Sequence, residues 1–446
     1  MNIFEFEKKY QNILESIDEW GYLRISMGHK IKNSSIDSKS IRKSDFIWKK
    51  IKKLKSMFYG FKYWFKNYEY LFFSDSGQRV FIEGKYYDKL MDYIIEKIGH
   101  EKVLMIEKPN IQHYSFSQID KKYIVSRTII DFISRIVRLM DFNKNNLSDL
   151  NKILELNNID FKYESTIKLF NAKYFIYKNL LKLYKPKKVF IVCHYCLMPL
   201  VKACNDLNII IIEVQHGIIN KEHFGYVSHI KLNKDYKVHY LLSFGKNETQ
   251  INDIIISNVV PVGNFYLEYL QTSFKSNIKM KNLTKKYQYT IGVSLQDSDW
   301  EFYALLDFLK TVAIENKNLL FLLIPRRRIE NIRLPNNMMF YTDLDCYNTI
   351  LHCNIHCTIY SSCALEAPTL GIPNLMVNIE NFAKKYYSNI LSSKHTKYVE
   401  NNLDFIKYVQ TLSKIDKKFI QLENQDIFYR YYKTNINNFL KIKNIL

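Results

Sequence analysis

Asn354-Ile-His-Cys-Thr-Ile-Tyr360-Ser-Ser-Cys-Ala-Leu-Glu366-Ala-Pro-Thr-Leu-Gly371-Ile-Pro373-Asn-Leu-Met-Val377 reads as strand, helix, strand. The apolar run ends at Tyr360, and two hydroxyls follow where a helix begins, so Ser361 or Ser362 can cap it. Gly371 ends the helix and Pro373 prevents its continuation. Pro368, inside the helix, predicts a kink or a shortened first segment. The same alternation extends backwards, with strands expected at Tyr289–Ser294, Leu319–Pro325 and Met338–Tyr341. The earlier half repeats it, at Glu69–Ser74, Lys102–Glu107, Lys188–Cys193, Ile209–Glu213, His239–Ser243 and Val259–Val262. These are continuous apolar runs, as strands buried on both faces require. Strands alternating with helical patterns imply an α/β fold with parallel sheets. The fold expected is two Rossmann-like domains facing across a cleft. Ligands of open α/β sheets bind off the carboxyl ends of the strands, so the informative residues are those just after strands.

The organisation expected is a helical segment over 1–66, a first Rossmann-like domain over 67–270, a polar linker over 271–286, a second such domain over 287–420, and a C-terminal helix over 421–446. Within the first segment, Ser44 to Lys66 reads as one basic amphipathic helix. Ile47, Ile51, Leu54, Phe58, Phe61 and Phe65 form its apolar stripe, with Lys49, Lys50, Lys52, Lys53 and Lys55 opposite. Such a helix either lies on an anionic membrane surface or docks on its own domain with a solvated lysine face.

Composition narrows the function. In 446 residues the hydrophobic share is 47% and the charged share 24%, which excludes general disorder. No apolar run approaches the roughly 18–20 residues of a membrane span. Met1 to Tyr10 carries no signal-peptide pattern, so a cytoplasmic location is expected, with peripheral binding at the inner membrane face open. Sixty-five Lys and Arg against forty-four Asp and Glu give a net charge of +21. That balance favours polyanions: nucleic acid, an anionic membrane, or phosphorylated substrates. No nucleic-acid-binding motif accompanies it, so no nucleic-acid partner is expected. Seven cysteines without regular spacing point to reduced, buried core thiols, Cys193 and Cys196 among them.

Four clusters carry candidate chemistry. At the start of the helix after Tyr360, Ser361 and Ser362 suit a phosphate, and Glu366, one turn on, suits a ribose diol. The alternative is an ordinary capped helix. Gln215-His216-Gly217 follows an apolar strand, where His216 could act as a base or bind phosphate and Gly217 could admit close approach. Here the alternative is a turn histidine. Ser74-Asp75-Ser76 follows the first strand; Asp75 could take an acceptor proton or close an Asx turn. Arg326 and Arg327, at another strand end, suit phosphate or form an exposed basic loop. Asp297-Ser-Asp299 and Asp343-Leu-Asp345 spell a short metal–diphosphate string common by chance, and no metal site is expected. His352, Cys353, His356 and Cys357 straddle a helix end and a strand, so they cannot easily converge on zinc. Cys193-His-Tyr-Cys196 lacks a second ligand pair.

Together these clusters resemble GT-B glycosyltransferases, specifically the bacterial enzymes of capsule and lipopolysaccharide synthesis. The resemblance rests on the two-domain plan, Gln215-His216-Gly217, Ser361-Ser362, and Glu366-Ala367 with Gly371-Ile-Pro373. Phe73-Ser74-Asp75-Ser76 and Lys85-Tyr86-Tyr87 add to it, and the likeness runs from about Tyr68 to about Asn378. It implies sugar transfer from a nucleotide-sugar donor, itself a substrate, with no separate cofactor, to a glycan or glycolipid acceptor. It implies donor binding by Ser361, Ser362, Glu366, Arg326 and Arg327, and catalysis by His216 with Asp75 second. Gln215, Gly217, Ser74 and Ser76 would line the acceptor side. A His-Pro pair common in enzymes using CMP-sugars is replaced here by Ile324-Pro325. Two other readings fit the same sequence: a CDP-polyol phosphotransferase of the same plan, and a non-enzymatic basic scaffold for membranes or nucleic acid.

Overall fold

The computed structural model describes residues 2–33, 56–110, 112–119, 123–140, 147–296, 299–326 and 332–445. The chain forms two compact units. The first is Met1–Ser243 with Glu248–Pro261 and Lys433–Leu446; the second is Phe244–Asn247 with Val262–Tyr432.

The first unit holds β1 (Tyr70–Asp75), β2 (Arg79–Ile82), β3 (Lys85–Asp88), β4 (Val103–Lys108), β5 (Ile124–Ser126), β6 (Lys188–Ile191), β7 (Ile210–Val214), β8 (Val238–Ser243) and β9 (Ile256–Pro261). Seven of these form a parallel sheet in the order β5-β4-β1-β6-β7-β8-β9. Its strands are apolar on both faces because both are covered. Phe72 stacks on Phe190 at 4.4 Å on one side, and Phe73 meets Tyr177 of the helix Tyr163–Tyr184 at 5.8 Å on the other. Each such ring taken from water contributes about 1.5–3 kcal/mol. β2 and β3 form a separate antiparallel hairpin, turned by Glu83 and Gly84, both at positive φ.

Helices Ile3–Lys9 and Trp20–Asn33 pack into this unit rather than standing apart. Asn2 and Glu5 cap the first helix reciprocally, and Arg24 and Glu7 form a fully buried ion pair at 2.6 Å. The helix expected from Ser44 to Lys66 lies, as far as residue 55, outside the described residues. From Met57 onward the chain is a turn and a 3-10 helix, Phe61–Phe65, so the expected α-helix does not run to Lys66. Gly60, at φ 67°, sits against the backbone of Ile124, which breaks the helical path there. The last helix, Tyr432–Ile442, also belongs to the first unit: Phe439 packs on Tyr240 of β8, and the Tyr70 hydroxyl donates to the Ile445 carbonyl.

The second unit holds β10 (Tyr289–Ser294), β11 (Leu319–Ile324), β12 (Met338–Phe340), β13 (Ile355–Thr358), β14 (Asn374–Val377) and β15 (Thr396–Val399), parallel in the order β12-β11-β10-β13-β14-β15. Numbered within the unit, that is 3-2-1-4-5-6, the dinucleotide-fold order, and the first sheet begins 3-2-1-4-5-6 as well. Both units are therefore Rossmann-like. The stretch 271–286, expected as a linker, carries the end of helix Phe265–Ser273 and all of helix Ile278–Thr284; the boundary between units falls at Pro261. Polar composition misled here, because Asn264 and Asn277 are helix caps.

Candidate functional site

In each sheet the strand order reverses beside the first strand, so the crevice at the carboxyl ends lies between β1 and β6 and between β10 and β13. The candidate residues sit at or just after strand ends, Ser74–Ser76 at β1, Gln215–Gly217 after β7, Arg326 after β11 and Ser361–Ser362 after β13.

In the second unit, β13 delivers Ser361 to the start of the helix Cys363–Thr369. Ser361, not Ser362, makes the cap: its Oγ accepts from the Cys363 N–H at 3.2 Å, and its buried backbone is clamped by the Tyr387 hydroxyl at N and O. Ala364 and Leu365 N–H groups bond the carbonyls of Ser361 and Ser362, so the first turn's donors are already engaged. Ser362 makes no side-chain cap bond. Pro368 causes no break, because the Asn374 amide donates at 2.6 Å to the Ala364 carbonyl that a residue-368 N–H would have bonded. A Schellman closure at Gly371 (φ 79°) then ends the helix, with the Ile372 N–H on the Ala367 carbonyl.

Glu366 is 7% exposed. Its Oε1 accepts from the Tyr347 hydroxyl at 3.0 Å, while its Oε2 is buried with no hydrogen-bond partner among the described residues. A carboxylate oxygen withdrawn from water without a donor is costly, and a ligand hydroxyl would satisfy it. The Tyr347 phenol is pushed up by burial and by Glu366, so it stays a donor. A run of neighbouring side chains links this corner to β10. Cys363 lies 3.5 Å from Cys346, Cys346 lies 3.8 Å from Ser294 Oγ, and Ser294 Oγ bonds His356 Nε2. Gln296, just after β10, also has a buried Nε2 with no partner among the described residues. Arg326 is exposed at the end of β11; Arg327 lies outside the described residues.

In the first unit the centre of charge is Glu213 on β7, wholly buried. It accepts from the His194 N–H and from His194 Nδ1 at 2.6 Å, and from the Tyr226 hydroxyl at 2.6 Å. Burial opposes its charge, but His194 and these hydrogen bonds hold its carboxyl below the usual range. His194 Nε2 is left without a partner among the described residues. Tyr195, His216 and His223 stand around this pair, with the Tyr195 ring 6.3 Å from His216 and 5.4 Å from His223. Burial lowers the basicity of His216, whose Nδ1 has no partner among the described residues, and lowers His223 to about 4. Both imidazoles are thus neutral at pH 7.

The other candidates in this unit have structural partners. Gln215 donates to the Gly217 carbonyl and to Glu248, so it braces the loop. Gly217 is not at positive φ and a Cβ there would meet nothing within 4 Å, so the chain itself does not require glycine. Asp75 closes a turn onto the Gly77 N–H at 2.8 Å. Ser74 bonds buried Asp88 at 2.5 Å, and Ser76 accepts from the Asn110 N–H. Behind them Arg79 bridges Glu107 (2.5 Å) and Asp92 (3.8 Å), all with fully buried side chains. Cys193 and Cys196 are not core thiols. They sit just after β6, sulfur to sulfur at 2.9 Å, with Cys196 exposed and lowered to about 7 by the Cys193 hydrogen bond.

Sequence reasoning missed His194, Tyr226 and Tyr347, and gave Glu213 no role. The available signal was a carboxylate near the end of an otherwise apolar buried run, at Glu213 and again at Glu107. Asp345 of the second Asp-Leu-Asp string is a helix cap. Among the described residues no group of three or more His, Cys, Asp or Glu could hold a metal ion, and no helix is long and apolar enough to cross a membrane.

No protein-family model and no curated protein matches the chain. Solved structures do. The glycotransferase of kitacinnamycin aligns at TM-score 0.52 and 9% identity over 85% of this chain and 99% of that one. MnaA of S. aureus, solved with UDP, aligns at TM-score 0.50 and 12% identity over 85% and 98%. The UDP-GlcNAc 2-epimerase of Methanocaldococcus jannaschii aligns at TM-score 0.50 and 11% identity over 84% and 99%. At such identities the likeness is one of fold: two Rossmann-like domains of GT-B type.

Proposed function

We propose that this chain is a metal-independent GT-B glycosyltransferase that moves a sugar from a nucleotide-sugar donor to a growing surface glycan or glycolipid of the capsule or lipopolysaccharide type. One observation carries the reading: Oε2 of Glu366, one turn into the helix that follows β13 in the second Rossmann-like unit, is buried and has no hydrogen-bond partner among the described residues. A ribose diol supplies the donors that this oxygen lacks. The structural likeness to a glycotransferase and to a UDP complex supports a nucleotide ligand.

In this scheme the second unit holds the donor, with Glu366 on the ribose and Ser362 and Arg326 toward the phosphates. Arg327 completes that set by sequence. The first unit supplies the base. Neutral His216, whose Nδ1 has no partner among the described residues, is the candidate to accept the proton of an acceptor hydroxyl. His194, with Glu213 and Tyr226 behind it, offers a second imidazole of fixed tautomer nearby. Asp75, tied into its turn, serves the loop.

Epimerisation of a UDP-sugar is the second reading, favoured by the fold likeness to a UDP-GlcNAc 2-epimerase and by the same histidines, which could move a proton on the sugar itself. A thermal-shift panel of UDP, GDP, CDP, CMP and dTDP tests the common premise, since a ligand of the native state raises its melting temperature. A rise with one nucleotide is expected; a flat response to all five refutes both readings. NMR of the matching nucleotide-sugar then separates them: an epimer without acceptor, or nucleotide release that grows with acceptor glycan.

A further inference from the structure

The helix Thr128–Val137 of the first unit is amphipathic the wrong way round. Its buried residues are Thr128, Ile130 and Ser134, whereas Phe132, Ile133, Ile136 and then Leu139 and Met140 face solvent. Those five positions recur at spacings of one, three, three and one, which is a single stripe on a helix. Leu139 is 83% exposed and Ile136 55%. A helix that displays its apolar stripe to water is built to cover it with something.

The neighbouring segment does the same. The Ser56 hydroxyl is 3.3 Å from that of Thr128, and the Tyr59 carbonyl accepts from the Ser126 N–H, so residues 56–65 lie beside the start of this helix. There Phe58, Phe61 and Phe65 are exposed by 63%, 41% and 75%, edge to face with one another at 6.2 and 5.4 Å. Apart from Asp131, the charges within 56–66 and 128–140 are positive. Lys62, Lys66, Arg135 and Arg138 are exposed, and the one acid, Asp131, is held by Lys173 at 3.0 Å.

We infer that this face of the first unit docks on an anionic lipid bilayer, with Phe58, Phe65, Ile136 and Leu139 entering the interface and the four cations meeting lipid phosphates. Phenylalanine and leucine flanked by Lys and Arg are the composition of an in-plane membrane contact. A second copy of the chain is a poorer occupant, because a two-fold interface sets like charges against each other. The inference is independent of the proposed nucleotide site.

The test is flotation of the full chain with vesicles of phosphatidylglycerol and phosphatidylcholine in equal parts, and with phosphatidylcholine alone. The protein should float with the anionic vesicles and much less with the neutral ones. Because each large apolar side chain removed from the interface costs about tenfold in partitioning, Ile136→Glu/Leu139→Glu should lose about a hundredfold while melting like the wild type. Lys62→Glu/Arg138→Glu, whose side chains are also exposed, should lose binding to the anionic vesicles in the same way. Absence of wild-type flotation overturns the inference. So does flotation that the apolar double variant leaves unchanged, which would place binding on general charge. So does a wild-type dimer in light scattering that the apolar variant dissolves, which would assign the face to a second copy.

Discussion

Replacing Glu366 by Gln isolates the interaction on which the nucleotide reading depends. The side chain keeps its shape, and the Tyr347 hydroxyl, now 3.0 Å from Oε1, can donate to the amide oxygen instead. Oε2 becomes an NH2 group that meets a ribose hydroxyl as a donor, without charge. Hydrogen bonds to a charged group contribute ~1.5–3 kcal/mol, against ~0.5–1.5 for neutral ones. Exchanging one charge-assisted hydrogen bond for a neutral one, a difference of about 1–1.5 kcal/mol, therefore weakens nucleotide binding roughly five- to tenfold, since each ~1.4 kcal/mol is tenfold in Kd. Folding should change little, because the oxygen that loses its charge has no protein partner among the described residues. Calorimetric titration with the nucleotide that most raises the melting temperature reads the loss. Tyr347→Phe, which frees the Glu366 side chain to move, should show a smaller loss of the same sign. An unchanged Kd for Glu366→Gln, in a protein that still binds nucleotide, would refute the assignment of this carboxylate to the ligand.

Acidification should destabilise the fold before the carboxylates titrate. Burial holds His223, His356 and His395 at about 4, against an ordinary 6.5. Between those values the unfolded chain binds protons that the native chain refuses, so stability is full above pH ~6.5 and falls toward pH 4, by up to ~1.4 kcal/mol per pH unit for each histidine. Urea melts at pH 7 and 5 with equal midpoints would contradict this. Tyr226→Phe removes a donor from buried Glu213 at 2.6 Å and should cost ~1.5–3 kcal/mol in chemical denaturation. Gly263→Ala places a Cβ 2.3 Å from the Tyr429 carbonyl oxygen at φ 98°, so a loss of at least ~1–3 kcal/mol is expected in thermal melts.

Strands and their order in the chain were legible because parallel-sheet strands are written as uninterrupted apolar runs, and Tyr289–Ser294 matches β10 residue for residue. β5 and β15 escaped notice because Ile124–Ser126 and Thr396–Val399 are short and adjoin polar residues. The crevice positions were legible too, since polar residues directly after such runs must lie at strand ends. Partnership was not. Nothing in the sequence distinguishes Gln215, which braces its own loop, from His216, which keeps a ring nitrogen unbonded. Nor does sequence show that Glu213 and His194, nineteen positions apart, meet across two strands. The helix Thr128–Val137 drew no expectation from the sequence, because periodicity reports that a stripe exists and not which way it faces.

The helix Tyr432–Ile442 ends the chain yet belongs to the domain that begins it. A gene fragment stopping at Pro261 would encode the first sheet without the helix that seats Phe439 on Tyr240. A nonsense codon just past Lys433 would likewise damage a domain whose first strand starts at Tyr70, hundreds of codons upstream. Expressing that domain alone therefore calls for splicing residues 433–446 onto Pro261 through a designed tether, since no single cut in the gene releases it whole.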